Sequence, residues 1–392
     1  MRQDTVHRMS YVRSVGDLDD RYRSFTEQHV EFLDAVRCEF PDDAARRLDD
    51  VLAVPPRPLE PVPLRDPAAL SDAERSALAA QFLGPDGVAA FALENPPERI
   101  RGRHFVLALA EQMSGELPLA HPVDHPMEQH DEARARFGAP DGTLKLYDLP
   151  IPEGIDKYRE QAETSELFAA HNDGLGYGGA VVASIIALDS PPAWGGFTCF
   201  QHLVRISLAL ANDDPEAFEA LFLPDAIVAV RPRGKGAIRV TSPVLYINAR
   251  GEPQTFFRVA SGEYRIEWRS DVEALRRARA LLVRLAQPFA PSSTFAHLMG
   301  RGEGVILRNT QIVHSRTPFV DGVYGTSRVL ARKWFVPTPN DAHYKHVPGM
   351  NVYPSYARLF PEYFAPELLE GEWHFDPAAG GNVRVTDSPP SS

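Results

Sequence analysis

The sequence is poor in cysteine, contains no long apolar run and carries no excess of positive charge. Cys38 and Cys199 are the only cysteines among 392 residues, which excludes a disulfide framework and a cysteine-rich zinc site. No run of about 18 apolar residues could cross a membrane, and no apolar signal region follows Met1. The formal net charge of −12 disfavours binding to nucleic acid or to an anionic membrane surface. We therefore expect a cytoplasmic protein whose partner is a small molecule.

Length and patterning predict one structural domain of mixed α+β type, mainly β, with helical additions. Residues 1–140 are expected to form a helical N-terminal extension packed on the core, and residues 141–340 the β-rich core with inserted helices. Residues 341–392 are expected to form a C-terminal extension with a disordered tail. Many short strands separated by turn residues favour a double-stranded β-helix, or jelly roll, for the core. The sequence does not indicate an oligomeric state.

Local patterns predict four segments that bear on the core. The sequence from Ser71 to Glu74 is that of a capping box, which begins a helix. The apolar run 180–188 is typical of a buried strand, and 271–287 of an amphipathic helix. Residues 150–165, which include Tyr158, are charged and lead into the first candidate site, so we expect a mobile lid there.

A histidine and an acid in the middle of the chain form the most informative pair. His171 and Asp173 are two residues apart, so on a strand their side chains point to the same face. Four histidines in the chain precede an acid by two positions, but only this pair lies between an apolar segment and a predicted buried strand. A second histidine, His314, lies in another apolar run. Two histidines and one carboxylate that leave the opposite side open are typical of non-haem Fe(II) oxygenases.

Three glycines after this pair imitate a different motif. Gly174, Gly176 and Gly179 spell the G-x-G-x-x-G pattern of dinucleotide binding, but that motif requires a strand before it and a helix after it. A β-branched run follows here instead, and the next acid, Asp189, comes too early. We interpret these glycines as positions where a substrate or another part of the chain approaches closely.

An arginine on a second apolar run strengthens the interpretation of His314. Arg328 lies 14 positions after that histidine. An arginine on a buried strand is costly unless it meets an anion. A dicarboxylate cosubstrate would supply that anion through a bidentate pair. Arg332 lies four positions further along, so on a regular strand it shares the face of Arg328.

In this order and spacing the motifs resemble the clavaminate synthase-like branch of the TauD/TfdA family of Fe(II)/2-oxoglutarate dioxygenases. The resemblance rests on His171-x-Asp173, then residues 195–198 (Gly-Gly-Phe-Thr), then His314 with Arg328. In that branch a threonine in such a segment lies about 27 positions after the first histidine, and Thr198 does so here. The resemblance covers about residues 165 to 336. Many members of the branch have glutamate as the third ligand; the aspartate here is a departure that keeps the chemistry.

The resemblance implies a role for each matching residue. His171, Asp173 and His314 would bind Fe(II), and 2-oxoglutarate and O2 would take the open positions on the metal. Thr198 and Arg328 would hold the distal carboxylate of 2-oxoglutarate. The reaction would release succinate and CO2. Because the carboxylate occupies the position that related halogenases leave to chloride, hydroxylation, desaturation or cyclisation is expected.

The resemblance also implies a small substrate, amino-acid-derived or a natural-product intermediate, either free or bound to a carrier. Arg332 would contact a substrate carboxylate, as a further arginine does in many members. Tyr158 and Arg258 are further candidates for substrate contacts, although the segment around Arg258 is equally typical of a surface hairpin.

Some alternatives stay open at this point. Asn172 and Asn309 are candidates for hydrogen bonding to the ligands, although Asn172 is more typical of a turn. A zinc-dependent hydrolase could use the same two histidines and aspartate, and a jelly-roll binding protein would need no metal at all. The hydrolase would require a general base beside the metal-bound water, and it would leave Arg328 without a role.

Overall fold

A computed structural model describes residues 25–96, 102–123, 144–148, 162, 164–174, 180–233, 236–248, 250–259, 265–290, 294–322, 327–338, 359, 373–376 and 381–384. The segment expected to form a lid lies largely outside this part of the chain, together with Tyr158, Gly176, Gly179 and the C-terminal tail. No helix among the described residues combines the length and apolar character needed to span a membrane.

The described residues form a mixed α/β structure in which strands predominate. The helices are α1 (Phe25–Glu39), α2 (Leu48–Ala53), α3 (Asp72–Leu83), α4 (Gly102–Met113), α5 (Leu203–Asp213), α6 (Pro215–Ala220) and α7 (Glu273–Leu285). The strands are β1 (Val62–Leu64), β2 (Val88–Leu93), β3 (Pro122–Val123), β4 (Leu144–Leu146), β5 (Phe168–His171), β6 (Ala183–Ser190), β7 (Trp194–Gly195), β8 (Thr198–His202), β9 (Ile227–Arg233), β10 (Gly236–Ser242), β11 (Leu245–Ile247), β12 (Pro253–Thr255), β13 (Arg265–Trp268), β14 (Phe295–His297), β15 (Glu303–Arg308), β16 (Ile312–Arg316), β17 (Phe319–Val320), β18 (Val329–Phe335), β19 (Trp373–Asp376) and β20 (Gly381–Arg384).

Two sheets dominate the described structure. The larger has seven strands, in the order β1-β2-β15-β6-β18-β3, with β4 also paired to β18. The smaller has four strands, in the order β14-β8-β16-β5. Smaller sheets pair β10-β9-β13, β11-β12, β17-β7 and β19-β20.

The alternation of side chains along β6 shows how the large sheet is covered on both faces. Ile185 and Ala187 pack in one cluster with the helical residues Leu78 and Phe105. Their neighbours on the strand pack in a second cluster, which also contains side chains of the small sheet. Because successive residues of a strand point to opposite faces, helices α3 and α4 cover the outer face, and the small sheet covers the inner one.

The small sheet is also covered on both of its faces. Val313 on β16 and Ala170 on β5 pack in a third cluster, together with helices α1, α5, α6 and α7. Ile312, the residue before Val313, packs toward the large sheet instead. His314 and His171, which follow the outward-facing residues, therefore lie on the inner face, between the two sheets.

The sequence predicted several of these elements. Strand β6 and helix α7 confirm the predictions for residues 180–188 and 271–287. The capping box is also confirmed: Ser71 N–H donates to the Glu74 carboxylate at 2.7 Å, and Glu74 N–H donates to Ser71 Oγ at 3.3 Å.

The N-terminal segment differs from the expected helical extension because it also supplies strands to the large sheet. Strand β2 pairs with β15 in antiparallel register. Its side chains are apolar on both faces: Val88 and Ala90 point toward the small sheet, whereas Ala89 and Phe91 point toward the helices. A run that is apolar on both faces suits an internal strand, which explains why this segment joins the sheet.

Close packing around Gly304 on β15 yields a test of the large sheet. A Cβ atom at this position would lie 2.3 Å from the Ile186 carbonyl oxygen and 2.4 Å from Phe91 Cζ. We expect Gly304→Ala to lower the free energy of unfolding by about 1–3 kcal/mol through overpacking, as measured by chemical denaturation. Gly115→Ala is the control, because a Cβ there meets nothing within 4 Å. Equal stability of the two variants would contradict this packing.

Candidate metal centre

Two histidines and an aspartate meet between the two main sheets. His171 at the end of β5 lies directly opposite His314 on β16, and their ring centroids are 4.3 Å apart. Asp173 follows two residues later, with Oδ1 3.7 Å from His171 Nε2 and Oδ2 3.8 Å from His314 Nε2. All three side chains are buried, and one potential ligand atom of each lies within 4.8 Å of the others.

The histidines have the protonation state that a metal ligand requires. Burial lowers the pKa of His171, and it lowers the pKa of His314 to about 3. His171 Nδ1 lies 2.8 Å from the Ala169 carbonyl oxygen, so Nδ1 carries the proton and Nε2 keeps its lone pair. That Nε2 is buried and has no hydrogen-bond partner among the described residues. Neutral imidazole is the form that binds metal.

Two residues of the large sheet hold the carboxylate of Asp173. The Ser184 hydroxyl donates to Oδ2 at 3.0 Å, and Arg332 Nη1 donates to Oδ1 at 2.8 Å. Burial alone would raise the pKa of Asp173, but the Arg332 guanidinium and the two imidazoles hold that pKa well below its usual value. The aspartate is therefore ionised at neutral pH, and the centre offers two neutral nitrogens and one anionic oxygen donor.

Two asparagines fix the backbone near the candidate metal ligands. Asn309 Oδ1 accepts a hydrogen bond from the Asp173 N–H at 2.7 Å, and Asn309 Nδ2 donates to two backbone carbonyls, including that of Asp173 at 3.0 Å. Asn172 Nδ2 donates to the Asn309 carbonyl, and its Oδ1 accepts from the Phe257 N–H at 2.7 Å. Asn172 thus links three segments and is not simply a turn residue.

The distances between the aspartate oxygens and the histidine nitrogens approach those between ligands of a first-row metal ion. Metal bonds of about 2.0–2.2 Å at right angles place neighbouring ligand atoms about 3 Å apart. The distances from an aspartate oxygen to His171 Nε2 and to His314 Nε2, 3.7 and 3.8 Å, are within 1 Å of that value, and one potential ligand atom of each residue lies within 4.8 Å of the other two. The Nε2 of His171, which has no hydrogen-bond partner among the described residues, and the ionised carboxylate of Asp173 provide the chemistry that such an ion needs. Two nitrogens and one carboxylate form the ligand set of non-haem Fe(II) sites.

A cationic pair lies beside the ring of Phe319. The Cζ atoms of Arg316 and Arg328 lie 4.7 and 5.3 Å from the ring centroid. Burial lowers the pKa of Arg328 to about 9 and that of Arg316 to about 10. Gly196 leaves room for this arrangement, because a Cβ there would lie 3.2 Å from Arg328 Nε. Within the described part of the chain, the Arg328 guanidinium donates no hydrogen bond, so an anion would offset its desolvation.

Arg332 has an unused edge as well as its bond to the aspartate. Its Nη1 contacts Asp173, whereas its Nε is buried and lacks a hydrogen-bond partner among the described residues. Nε and Nη2 form the edge of the guanidinium that pairs with a carboxylate in bidentate fashion. The sequence predicted a substrate contact for Arg332, but it gave no sign of the contact with Asp173.

The structure places the other predicted site residues as follows. Thr198 is buried at the start of β8, opposite Arg316, and no hydrogen bond joins it to Arg328 in the part of the chain that is described. Arg258 forms an isolated antiparallel bridge with His171, so it lies beside the centre. Tyr158 lies outside the described residues.

Sequence reasoning missed two polar residues of the centre. Ser184 interrupts the apolar run that became β6, and that interruption was the available signal. Arg316 lies two residues after His314, so it shares the face of that histidine on a strand. Arg316 Nη2 donates to the carbonyls of Thr164, at 2.7 Å, and Glu166, and it thereby ties the segment before β5 to β16.

The asparagine contacts yield a test of the centre. We expect Asn309→Ala to weaken metal binding by about 10–100-fold, because side chains that orient ligands contribute this much. Binding of Fe(II) would be measured anaerobically by titration calorimetry. Asn248→Ala is the matched control, because Asn248 is also buried and makes three hydrogen bonds in the turn to Glu252, away from the centre. Equal metal affinity of the two variants would contradict the role of Asn309.

Comparison with solved structures finds several similar chains. An asparagine oxygenase in complex with Fe(II), 2S,3S-3-hydroxyasparagine and succinate is 18% identical, with a TM-score of 0.47 over 78% of this chain and 91% of that chain. The non-heme iron oxygenase OrfP with Fe, succinate and (3S)-hydroxy-L-Arg is 16% identical, with a TM-score of 0.47 over 81% and 92%. The PvcB protein from Pseudomonas aeruginosa is 16% identical, with a TM-score of 0.44 over 73% and 91%. No curated protein matches the chain.

The family match covers more than half of the chain. Residues 117–334 match the family described as "Taurine catabolism dioxygenase TauD, TfdA family". The matched range contains both histidines and the aspartate of the centre, and also Arg328 and Arg332. The chain therefore belongs to the TauD/TfdA family of Fe(II)/2-oxoglutarate-dependent dioxygenases.

Proposed function

We propose that His171, Asp173 and His314 bind the Fe(II) ion and that the enzyme hydroxylates a small, amino-acid-derived substrate. The observation that carries this proposal is the convergence of two neutral imidazoles and one ionised carboxylate on the inner face between two sheets. We place the chain in the clavaminate synthase-like branch, and we interpret the two main sheets as the two halves of a jelly roll. Both assignments rest on the order of motifs and on the sandwich described above.

The cationic pair at Phe319 supports a place for 2-oxoglutarate. Arg328 is buried, and among the described residues its guanidinium has no hydrogen-bonded acceptor, so it would pair with the distal carboxylate. Thr198 would add a hydroxyl donor to the same carboxylate. Arg316 is occupied by the Thr164 and Glu166 carbonyls, and its charge would add a longer-range attraction for the anion.

The unused edge of Arg332 supports a place for a carboxylate of the substrate. Its Nη1 donates to Asp173, and its Cζ lies 4.7 Å from the centroid of the Trp334 ring. These two contacts hold the guanidinium in one orientation. A substrate carboxylate on the Nε edge would then be positioned relative to the metal ligands. A free or carrier-bound amino acid derivative could present such a group or an equivalent acceptor.

Each residue of the centre has a defined task in this proposal. When bound, iron with 2-oxoglutarate and O2 supplies the oxidation of a substrate C–H bond, with release of succinate and CO2. His171 and His314 donate neutral nitrogens, and Asp173 donates an anionic oxygen that Ser184 and Arg332 hold in place. Because Asp173 would fill the third metal-coordination position that the protein supplies, that position would not be open to a halide. We therefore propose hydroxylation, unless the substrate diverts the reaction to desaturation or cyclisation.

The zinc hydrolase and the binding protein explain the same residues less well. A hydrolase would need a general base beside the metal-bound water, but the charged side chain hydrogen-bonded to the ligand Asp173 is the cation Arg332. A buried Arg328 would have no role in the hydrolase. A binding protein would also have no use for three buried metal donors.

The first test of the proposal concerns iron. We expect one Fe(II) per chain under anaerobic conditions, and slow conversion of 2-oxoglutarate to succinate in air without added substrate. His314→Ala should lose both, because it removes one of three ligands, whereas His104→Ala should lose neither, because His104 is exposed on α4. Bound iron would be measured by a colorimetric chelator assay and succinate by mass spectrometry. Retention of iron in His314→Ala would refute the ligand assignment.

The second test concerns 2-oxoglutarate. Loss of a buried charge-assisted pair costs on the order of 2–5 kcal/mol, so Arg328→Ala should weaken 2-oxoglutarate binding by at least about thirtyfold. Iron content should not change, because Arg328 touches none of the three ligands. Titration of the iron-loaded protein would measure the affinity, with the exposed Arg301→Ala as the control. Unchanged 2-oxoglutarate affinity would overturn the assignment of Arg328.

A further inference from the structure

A bulge in strand β5 brings two rings side by side at the metal centre. His171 opposes His314 on β16, and Phe168 opposes Arg316, so β5 advances three positions where β16 advances two. On a regular strand, residues three apart would point to opposite faces. The extra residue lets both rings point inward, and their centroids are 4.2 Å apart.

The bulge also places the carbonyl that orients His171. Ala169 lies in the bulge, and its carbonyl oxygen is 2.8 Å from His171 Nδ1. Ala170 packs outward with the helices, whereas Phe168 packs inward. Bulges next to active sites commonly re-aim a side chain. The direction of the His171 ring therefore depends on the course of the chain immediately before it.

Arg316 holds the segment that leads into this bulge. Its Nη2 donates to the carbonyls of Thr164, at 2.7 Å, and Glu166. The Phe319 N–H donates to the carbonyl of Ser165, which lies between them, at 2.9 Å. Three consecutive carbonyls before β5 are thus bonded to two residues of the following β16–β17 region.

The guanidinium of Arg316 lies near two aromatic rings. Its Cζ is 4.7 Å from the ring centroid of Phe319 and 6.0 Å from that of Phe168. Burial lowers the pKa of Arg316 to about 10, although the charge of Asp148 acts in the opposite direction. The side chain is therefore still charged at neutral pH. Hydrogen bonds from a charged donor are roughly twice as strong as neutral ones, so the bonds from Arg316 hold the segment firmly.

These contacts connect Arg316 to the metal centre. Arg316 fixes the segment 164–166, this segment leads directly to Phe168, and Phe168 packs on the ring of His171. We propose that Arg316 is a positioning residue that aims the His171 imidazole at the metal through Phe168. The inference rests on the proposed role of His171 as an iron ligand.

The affinity for Fe(II) tests this role, because positioning and simple electrostatics predict opposite signs. Removing a cation near Fe(II) would by itself tighten metal binding. We expect Arg316→Met to weaken Fe(II) binding by about tenfold instead, the lower end of the range for side chains that orient ligands. Anaerobic titration calorimetry would measure the affinity. Arg316→Lys should recover part of the loss, because it keeps a charged donor.

Arg269 offers a matched control. Its guanidinium also bridges two acceptors, Asp225 and Asp271, but in the turn before α7. Arg269→Met should leave the affinity for Fe(II) as in the wild type. Unchanged or tighter binding in Arg316→Met would overturn the proposal, and so would an equal loss in Arg269→Met.

A double-mutant cycle tests the route through Phe168. Phe168→Leu removes the ring that packs on His171. In that background, Arg316→Met should change the affinity for Fe(II) by less than about threefold, because residues that act through one contact are not additive. A general loss of stability would instead give additive effects, and an additive cycle would overturn the route.

Proton NMR of the Co(II)-loaded protein gives a second readout. Each coordinated imidazole has its own N–H signal, shifted by the metal. In Arg316→Met we expect one of the two signals to move and to exchange faster with solvent, because the bond of His171 to the Ala169 carbonyl is loosened, while the signal of His314 stays. Equal changes in both signals, or no change in either, would contradict a role directed at His171.

The wild-type titration separates this inference from the proposed function, because Fe(II) binding to the unaltered chain is measured first. If the wild type binds Fe(II) and Arg316→Met binds it equally well, the metal centre stands and only the role of Arg316 is wrong. If the wild type binds no Fe(II), the proposed function fails, and the inference that rests on it fails too.

Discussion

The ion pair between Asp173 and Arg332 crosses the space between the two main sheets, and the centre depends on it. The aspartate follows a strand of the small sheet, and the arginine belongs to the large sheet. Removing two charges from water costs several kcal/mol per ion, and their attraction repays this only with good geometry. Here Ser184 and the two histidines add polar contacts to the aspartate. Such a pair is weak evidence for stability, and its position beside the two histidines that we propose as metal ligands gives it a functional reason.

The geometry of this pair depends on the hydrogen bonds that hold the segment of His171 and Asp173 in place. Asn309 accepts a hydrogen bond from the Asp173 backbone, and Asn172 accepts one from the Phe257 backbone, next to Arg258. Both asparagines are buried away from water, so their polar atoms must find hydrogen-bond partners within the protein. The centre is thus preorganised by backbone contacts before any ligand arrives, which lowers the reorganisation that binding requires.

Sequence reasoning reached the elements of the site more easily than its contacts. The two-residue spacing of His171 and Asp173 is local, so the pattern predicted it. The opposition of His171 and His314 joins positions far apart in the chain, and only the order of family motifs indicated it. The contact of Arg332 with Asp173 was not predictable, because the sequence gives neither the distance between the sheets nor the register of β18. The strand β2 was missed for a similar reason: its apolar run has no period that distinguishes a strand from a helix.

The register shift in β18 between Val329 and Leu330 has an evolutionary consequence. Arg328 lies just before β18 and before this irregularity, and Arg332 lies after it, so the regular alternation that would place both arginines on one face is interrupted between them. A substitution after the shift can alter what is recognised beside Asp173 without displacing the arginine beside Phe319. Under the proposed assignments, descendants of such a chain could change the substrate contact of Arg332 while the 2-oxoglutarate contact of Arg328 is inherited unchanged.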